Sequence, residues 1–128
     1  MFVRFQSAVP NRHGRYPGVF AMANGLHAAG RLSEEDDAWW RQSNDRANAA
    51  YADPTVALAG SYDHPDACSW FKADAVDLLA LAGDYLLLLD RYDIPWVELR
   101  TKTPGHLTYE DDVQVVAVPF RHPDDWPL

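Results

Sequence analysis

From Phe71 to Tyr92 the chain is apolar around nearly the whole of a helical wheel, and no other stretch constrains the fold as much. The polar stripe of this third helix is Asp74, Asp77, Asp84 and Arg91, yet Leu81 and Leu88 fall inside it. A helix of that kind needs cover on two sides, from a sheet and from another helix or a second subunit. It does not suit a membrane. Asp74, Asp77 and Asp84 interrupt the run from Ala73 to Leu89, and a carboxylate near the bilayer centre costs about 3 kcal/mol.

Pro95 stops the helix and launches Trp96 to Lys102 as a strand. Thr103-Pro104-Gly105-His106 has Pro then Gly at the central turn positions, and Leu107–Glu110, Asp111-Asp112 and Val113–Val118 read as a hairpin. Upstream, Val3 and Phe5 alternate with Arg4 and Gln6, the period of a half-buried strand ended by Pro10. Residues 11–18 form a loop by composition. Val19, Met22, Ala23 and Leu26 then recur at helical spacing up to Gly30. Ser33 caps a second helix, whose first turn carries Glu34, Glu35, Asp36 and Asp37 where the helix dipole favours negative charge. Residues 52–68 contain Pro54, Gly60 and Pro65 without periodicity and read as an irregular connection.

The expected order is β-α-α-α-β-β-β: one α+β domain over residues 1–128, with an antiparallel four-stranded sheet and the helices on one face. Strands two to four should form a meander, strand one should add to it, and residues 121–128 should be a surface tail. The chain of 128 residues is long enough for one core. Its net charge of −8, from 19 acidic and 11 basic side chains, disfavours duplex nucleic acid as a partner. Cys68 has no cysteine to pair with, and Met1–Gln6 turns polar too early for a signal peptide. Both fit a cytoplasmic protein with no membrane association.

Two clusters offer chemistry. Arg4, Gln6, Glu98, Arg100 and Gln114 are polar strand positions, several of which would share a sheet face if the strands adjoin. With Arg12, His13 and Arg15 in the first loop and Lys72 at a helix start, they form a candidate anion site for a phosphate or carboxylate. The alternative is a solvated face laced by cross-strand ion pairs. The second cluster is Tyr109-Glu110-Asp111-Asp112, where Glu110 (or His13) would transfer protons, although Asp is also an ordinary tight-turn residue. Asp63-His64 with Asp66, and His122 with Asp124 and Asp125, lack the paired spacing of a metal site, so no metal is assigned. Cys68 has no histidine placed beside it by the sequence, and no glycine-rich phosphate loop or nucleophile elbow is present, so no cofactor is implied. Trp39 and Trp40 point about 100 degrees apart on their helix. One should be core, and the other could join Leu81 and Leu88 in an association surface.

Val3-Arg4-Phe5-Gln6, Gly18-Val19-Phe20, Gly30-Arg31-Leu32-Ser33, Trp70-Phe71-Lys72, Ile94-Pro95, Pro104-Gly105, Tyr109-Glu110-Asp111 and Gln114-Val115-Val116-Ala117 span nearly the whole chain. In these segments it resembles a family of short bacterial proteins of uncharacterised function. The resemblance implies a bacterial cytosolic protein and supplies no catalytic residues.

Three functions compete at this level. The first is a non-catalytic binding or interaction module that self-associates, as a dimer or other homo-oligomer, or meets a protein partner. The second is a small enzyme acting on a phosphate- or carboxylate-bearing metabolite, which needs Arg4, Arg100, Lys72 and Glu110 in one pocket. The third is an acidic mimic of nucleic acid, which needs carboxylates less interspersed with basic residues than these are.

Overall fold

The computed structural model describes residues 1–120, so the expected tail and the residues His122, Asp124 and Asp125 lie outside the described residues. The elements are β1 (Phe2–Ser7), α1 (Val19–Ala28), α2 (Glu34–Ala50), a one-turn α3 (Pro54–Ala57), β2 (Cys68–Lys72), α4 (Val76–Arg91), β3 (Trp96–Thr101), β4 (His106–Glu110) and β5 (Gln114–Val118). The class is α+β. The sheet has five strands in the order β3-β1-β2-β5-β4, every neighbouring pair antiparallel.

Local chemistry accounts for the helices. α1 ends in a complete Schellman closure. The Arg31 N–H reaches the Leu26 carbonyl at 3.0 Å and the Gly30 N–H reaches His27 at 2.9 Å, with Gly30 at φ +66°. Ser33 caps α2, its hydroxyl accepting from the Asp36 N–H at 3.1 Å. Asp53 caps α3, and Pro54 sits at its first position, where the missing N–H is no loss.

Four strands were expected and five are present. The additional one, β2, is the middle of the sheet. It is only five residues long, and its apolar character runs into that of the following helix, so the helical pattern swallows it. The backbone instead turns at 73–75, with the Ala75 N–H on the Lys72 carbonyl at 3.0 Å, and α4 begins at Val76 rather than Phe71. The expected three-strand meander is also absent. Only β4 and β5 form a hairpin, with a bulge between Leu107 and Tyr109.

β3 and β4 lie at opposite edges, run in the same direction, and are joined by residues 102–105 alone. Five residue steps reach about 17 Å at most, whereas the edges of a flat five-stranded sheet stand roughly 19 Å apart before any offset along the strands. The sheet is therefore strongly coiled, and β3 and β4 are two halves of one bent ribbon. Gly105 is the bend. Its φ is +136°, and a Cβ there would lie 2.0 Å from the Val118 carbonyl oxygen.

Antiparallel partners share a face, so Val3, Phe71 and Gln114 face one side, and Arg4 with Leu99 the other. α1 and α4 pack on the Val3/Phe5/Phe71 side in one cluster with Leu78, Ala82, Tyr85 and Leu89. Val3, Leu88 and Leu89 are at most 1% exposed, and burial of each stabilises by roughly 1.5–3 kcal/mol. α2 forms a second layer. Trp39 meets Tyr85 edge-on at 5.1 Å, and Trp40 stacks on His27 at 3.9 Å. The all-round apolar α4 thus receives its two-sided cover within one chain.

Candidate functional site

β1 pairs with β3 over all six residues but with β2 only at Phe2–Lys72 and Val3–Phe71. Beyond Val3 the two central strands part, and residues 16–18 take β2's place along β1. The Ser7 N–H donates to the Pro17 carbonyl at 2.9 Å, and Gln6 bridges Gly18. Arg4 sits in this fork. Its Nη1 donates to the Ser69 carbonyl on β2, its Nη2 to the Tyr16 carbonyl and its Nε to the Gln6 Oε1, each at 2.9 Å.

The side chain is deeply buried, at 7% exposure. Its partners are all neutral oxygens, and no carboxylate among the described residues lies within 4.0 Å of it. Burial pulls the guanidinium below its ordinary value, and neighbouring Cys68 and Tyr62 oppose that pull. Arginine nevertheless stays charged at neutral pH. Three of its five N–H groups are used, which leaves one hydrogen on each Nη.

The fork opens onto a cleft of about 1030 Å³. On α2, Asn44, Ala47 and Asn48 line it at helical spacing, followed by Tyr51 at the C-cap; Asn24 and Phe20 come from α1, and Cys68 and Ser69 from β2. An amide network holds one wall. Asn24 Oδ1 accepts from Trp40 Nε1 at 3.1 Å and from Asn44 Nδ2 at 3.2 Å, while Asn44 Oδ1 accepts from the buried Tyr85 hydroxyl. Gln114 ties β5 to the cleft floor by donating to the Ala52 carbonyl at 2.7 Å. Burial pushes the Tyr62 phenol up, against its hydrogen bond with Ser69 and the charge of Arg4. Arg15 stands at the rim. Asn11 Oδ1 accepts from the His13 and Arg15 N–H groups and folds the loop, and Arg15 Nη1 donates to the Pro65 carbonyl.

Of the residues expected to hold an anion, Arg4 and Arg15 meet at this cleft and the others do not. Arg12 donates to His13 Nε2 at 3.3 Å in the exposed first loop. Lys72 pairs with Glu110 at 2.8 Å, and Arg100 pairs with Glu98 at 2.9 Å on the edge strand. The expectation that several of Arg4, Gln6, Glu98, Arg100 and Gln114 share a face holds for two separate groups. Register puts Arg4 and Gln6 on one side and Glu98, Arg100 and Gln114 on the other.

Glu110 and His13, the expected proton-transfer groups, are exposed and stand outside the cleft lining. Asp111 builds the β4–β5 turn, accepting from the Val113 and Gln114 N–H groups at 2.9 Å. Trp39, Trp40 and Leu81 are half-buried against the core, and Leu88 lies inside it. Among the described residues, no three His, Cys, Asp or Glu side chains group to hold a metal ion.

The amides of Asn24, Asn44 and Asn48 and the phenol of Tyr62 were not anticipated. Only the 44, 47, 48, 51 spacing carried a signal, as one face of a helix. Among the described residues, no helix is long and apolar enough to cross a membrane. Comparison with protein-family models, curated proteins and solved structures finds no match.

Proposed function

We propose that this protein is a binding module that holds a small anionic ligand, a phosphate ester or a carboxylic acid, in the cleft against Arg4. One observation carries the reading: a buried guanidinium at the cleft wall has neutral oxygens for partners and no counter-ion among the described residues. Removing such a charge from water costs several kcal/mol unless an opposite charge offsets it, and an entering anion would provide that offset through two free N–H groups in a fork. Gln6, which Arg4 touches, and Asn24 and Asn48 elsewhere in the lining suit the uncharged polar part of such a ligand. Among the described residues the lining contains no histidine or glutamate; its carboxylates are Asp66 and Asp53, the latter engaged in capping α3. The enzyme reading needed Arg4, Arg100, Lys72 and Glu110 together, and only Arg4 lines the cleft.

Thermal unfolding with a panel of phosphate- and carboxylate-bearing metabolites tests this. A ligand at a hundred times its Kd should add about 2.7 kcal/mol, a rise of roughly 10 °C for a domain of this size. Arg4→Gln should abolish the rise. Gly18→Ala should weaken it while leaving the fold intact, because the added Cβ would stand 3.3 Å from Arg4 Nη1. If no anion stabilises the wild type, or if Arg4→Gln responds equally, the reading fails.

A further inference from the structure

β3 is an unprotected sheet edge. Its six residues pair with β1 without a bulge, it carries no proline, and no described residue pairs with its outer side. The other edge, β4, is interrupted by its bulge. The direction of the backbone groups follows from one bond: the Pro95 carbonyl accepts from the Ala8 N–H at 3.0 Å, so Pro95 faces β1. Alternation then points Val97, Leu99 and Thr101 toward β1, and leaves the N–H and C=O of Glu98 and Arg100 directed outward, with no partner among the described residues.

We infer that β3 joins β3 of a second copy of this chain, antiparallel and two-fold symmetric about Leu99, to make one continuous sheet across a homodimer. The symmetry places residue i opposite residue 198 − i. In this register Glu98 of each copy lies opposite Arg100 of the other, and these are the residues with outward backbone groups, so each pair exchanges two main-chain hydrogen bonds. Leu99 meets Leu99 and Val97 meets Thr101 on the other face, covering apolar side chains that are 37% and 38% exposed for Leu99 and Val97.

Charge selects the register. Centring the pairing on Glu98 or on Arg100 sets like charges face to face, whereas centring it on Leu99 makes two opposite-charge pairs. The Arg100–Glu98 contact at 2.9 Å within one strand shows both side chains already lying along this edge. An isologous contact of this kind closes on itself and gives a dimer rather than a fibre. The inference stands apart from the anion cleft, which belongs to β1, β2 and the helices.

Sedimentation equilibrium on the full chain should show a reversible dimer. Glu98→Arg and Arg100→Glu should each weaken it at least tenfold by placing like charges opposite one another. The double exchange Glu98→Arg with Arg100→Glu should restore it, and circular dichroism should be unchanged throughout because both positions are exposed. A wild-type chain that stays monomeric at high micromolar concentration overturns the inference. So does a dimer indifferent to both single reversals. Hydrogen-exchange protection of the Glu98 and Arg100 amides in a monomer, lost when residues 121–128 are removed, would assign the edge to the chain's own C-terminus and overturn it too.

Discussion

Replacing Gly105 by alanine should be among the most damaging single-methyl changes in the protein, and the structure allows its size to be worked out. Two effects add there. A φ of +136° is strained for any L side chain, at roughly 1–3 kcal/mol. The new Cβ would also lie 2.0 Å from the Val118 carbonyl oxygen and 2.9 Å from the Pro119 Cα, backbone that must move for the residue to fit. Overpacking of that kind adds roughly 1–3 kcal/mol. Together they amount to about 4 kcal/mol, or a fall in Tm of roughly 15 °C.

Two other glycines separate the contributions. Gly30 has φ +66° but open space around its Cβ position, so Gly30→Ala should cost about 1–2 kcal/mol. Gly25 lies inside α1, again with nothing within 4 Å, so Gly25→Ala should stabilise by about 0.5–1 kcal/mol. Urea unfolding of the three variants, followed by circular dichroism with fixed m-values, measures the series. If Gly105→Ala lies within 1 kcal/mol of Gly30→Ala, the bend is not set by the Val118 contact and the account of the coiled sheet is mistaken.

Leu89→Ala should cost about 3 kcal/mol, since Leu89 is fully buried between sheet and helices. Val76→Ala, on the same helix but 70% exposed, should fall within about 0.5 kcal/mol of wild type; similar urea midpoints for the two would contradict the orientation of α4. Asp111 supplies a pH test. Burial raises its pKa, but hydrogen bonds from the Val113 and Gln114 N–H groups and the Tyr109 hydroxyl prevail and hold it below the ordinary value. Its ionised form therefore contributes stability above the unfolded carboxylate value of about 3.9, and that contribution is lost as pH falls through the lower folded value. Asp111→Asn should be less stable than wild type at pH 7, with the gap narrowing below about pH 4; a gap that widens on acidification would reverse the sign of the assignment.

Local chemistry was legible along the chain. The helix bounded by Val19 and Gly30, the Ser33 cap with its acidic first turn, the stop at Pro95 and the Asp111-Asp112 hairpin each depend on a few neighbouring residues, and each is present. The α+β class followed from their order. The apolar surround of the Phe71–Tyr92 stretch likewise fixed that its helix is covered on two sides. It left open whether another helix or a second subunit would do so, and within the chain α1, with side chains of α2, packs on it.

Strand order, face and charge pairing were settled by contacts remote in sequence. β2 was hidden because its last residues, Phe71 and Lys72, look like the start of the helix that follows, and Cys68 like the end of the irregular connection before it. The meander failed because the bent ribbon from Trp96 to Glu110 pairs with β1 through its first half and with β5 through its second, a partition set by the coil of the whole sheet. The candidate cations divided for the same reason. Lys72 and Arg100 found carboxylates on strands of the same sheet, while Arg4 was left in the fork where β1 and β2 separate, held by the carbonyls of Tyr16 and Ser69. Composition and the order of the elements determined that the chain forms a globule of this class; only the tertiary pairing decided which of its charges would be buried with no opposite charge beside it among the described residues, because that depends on where two strands part.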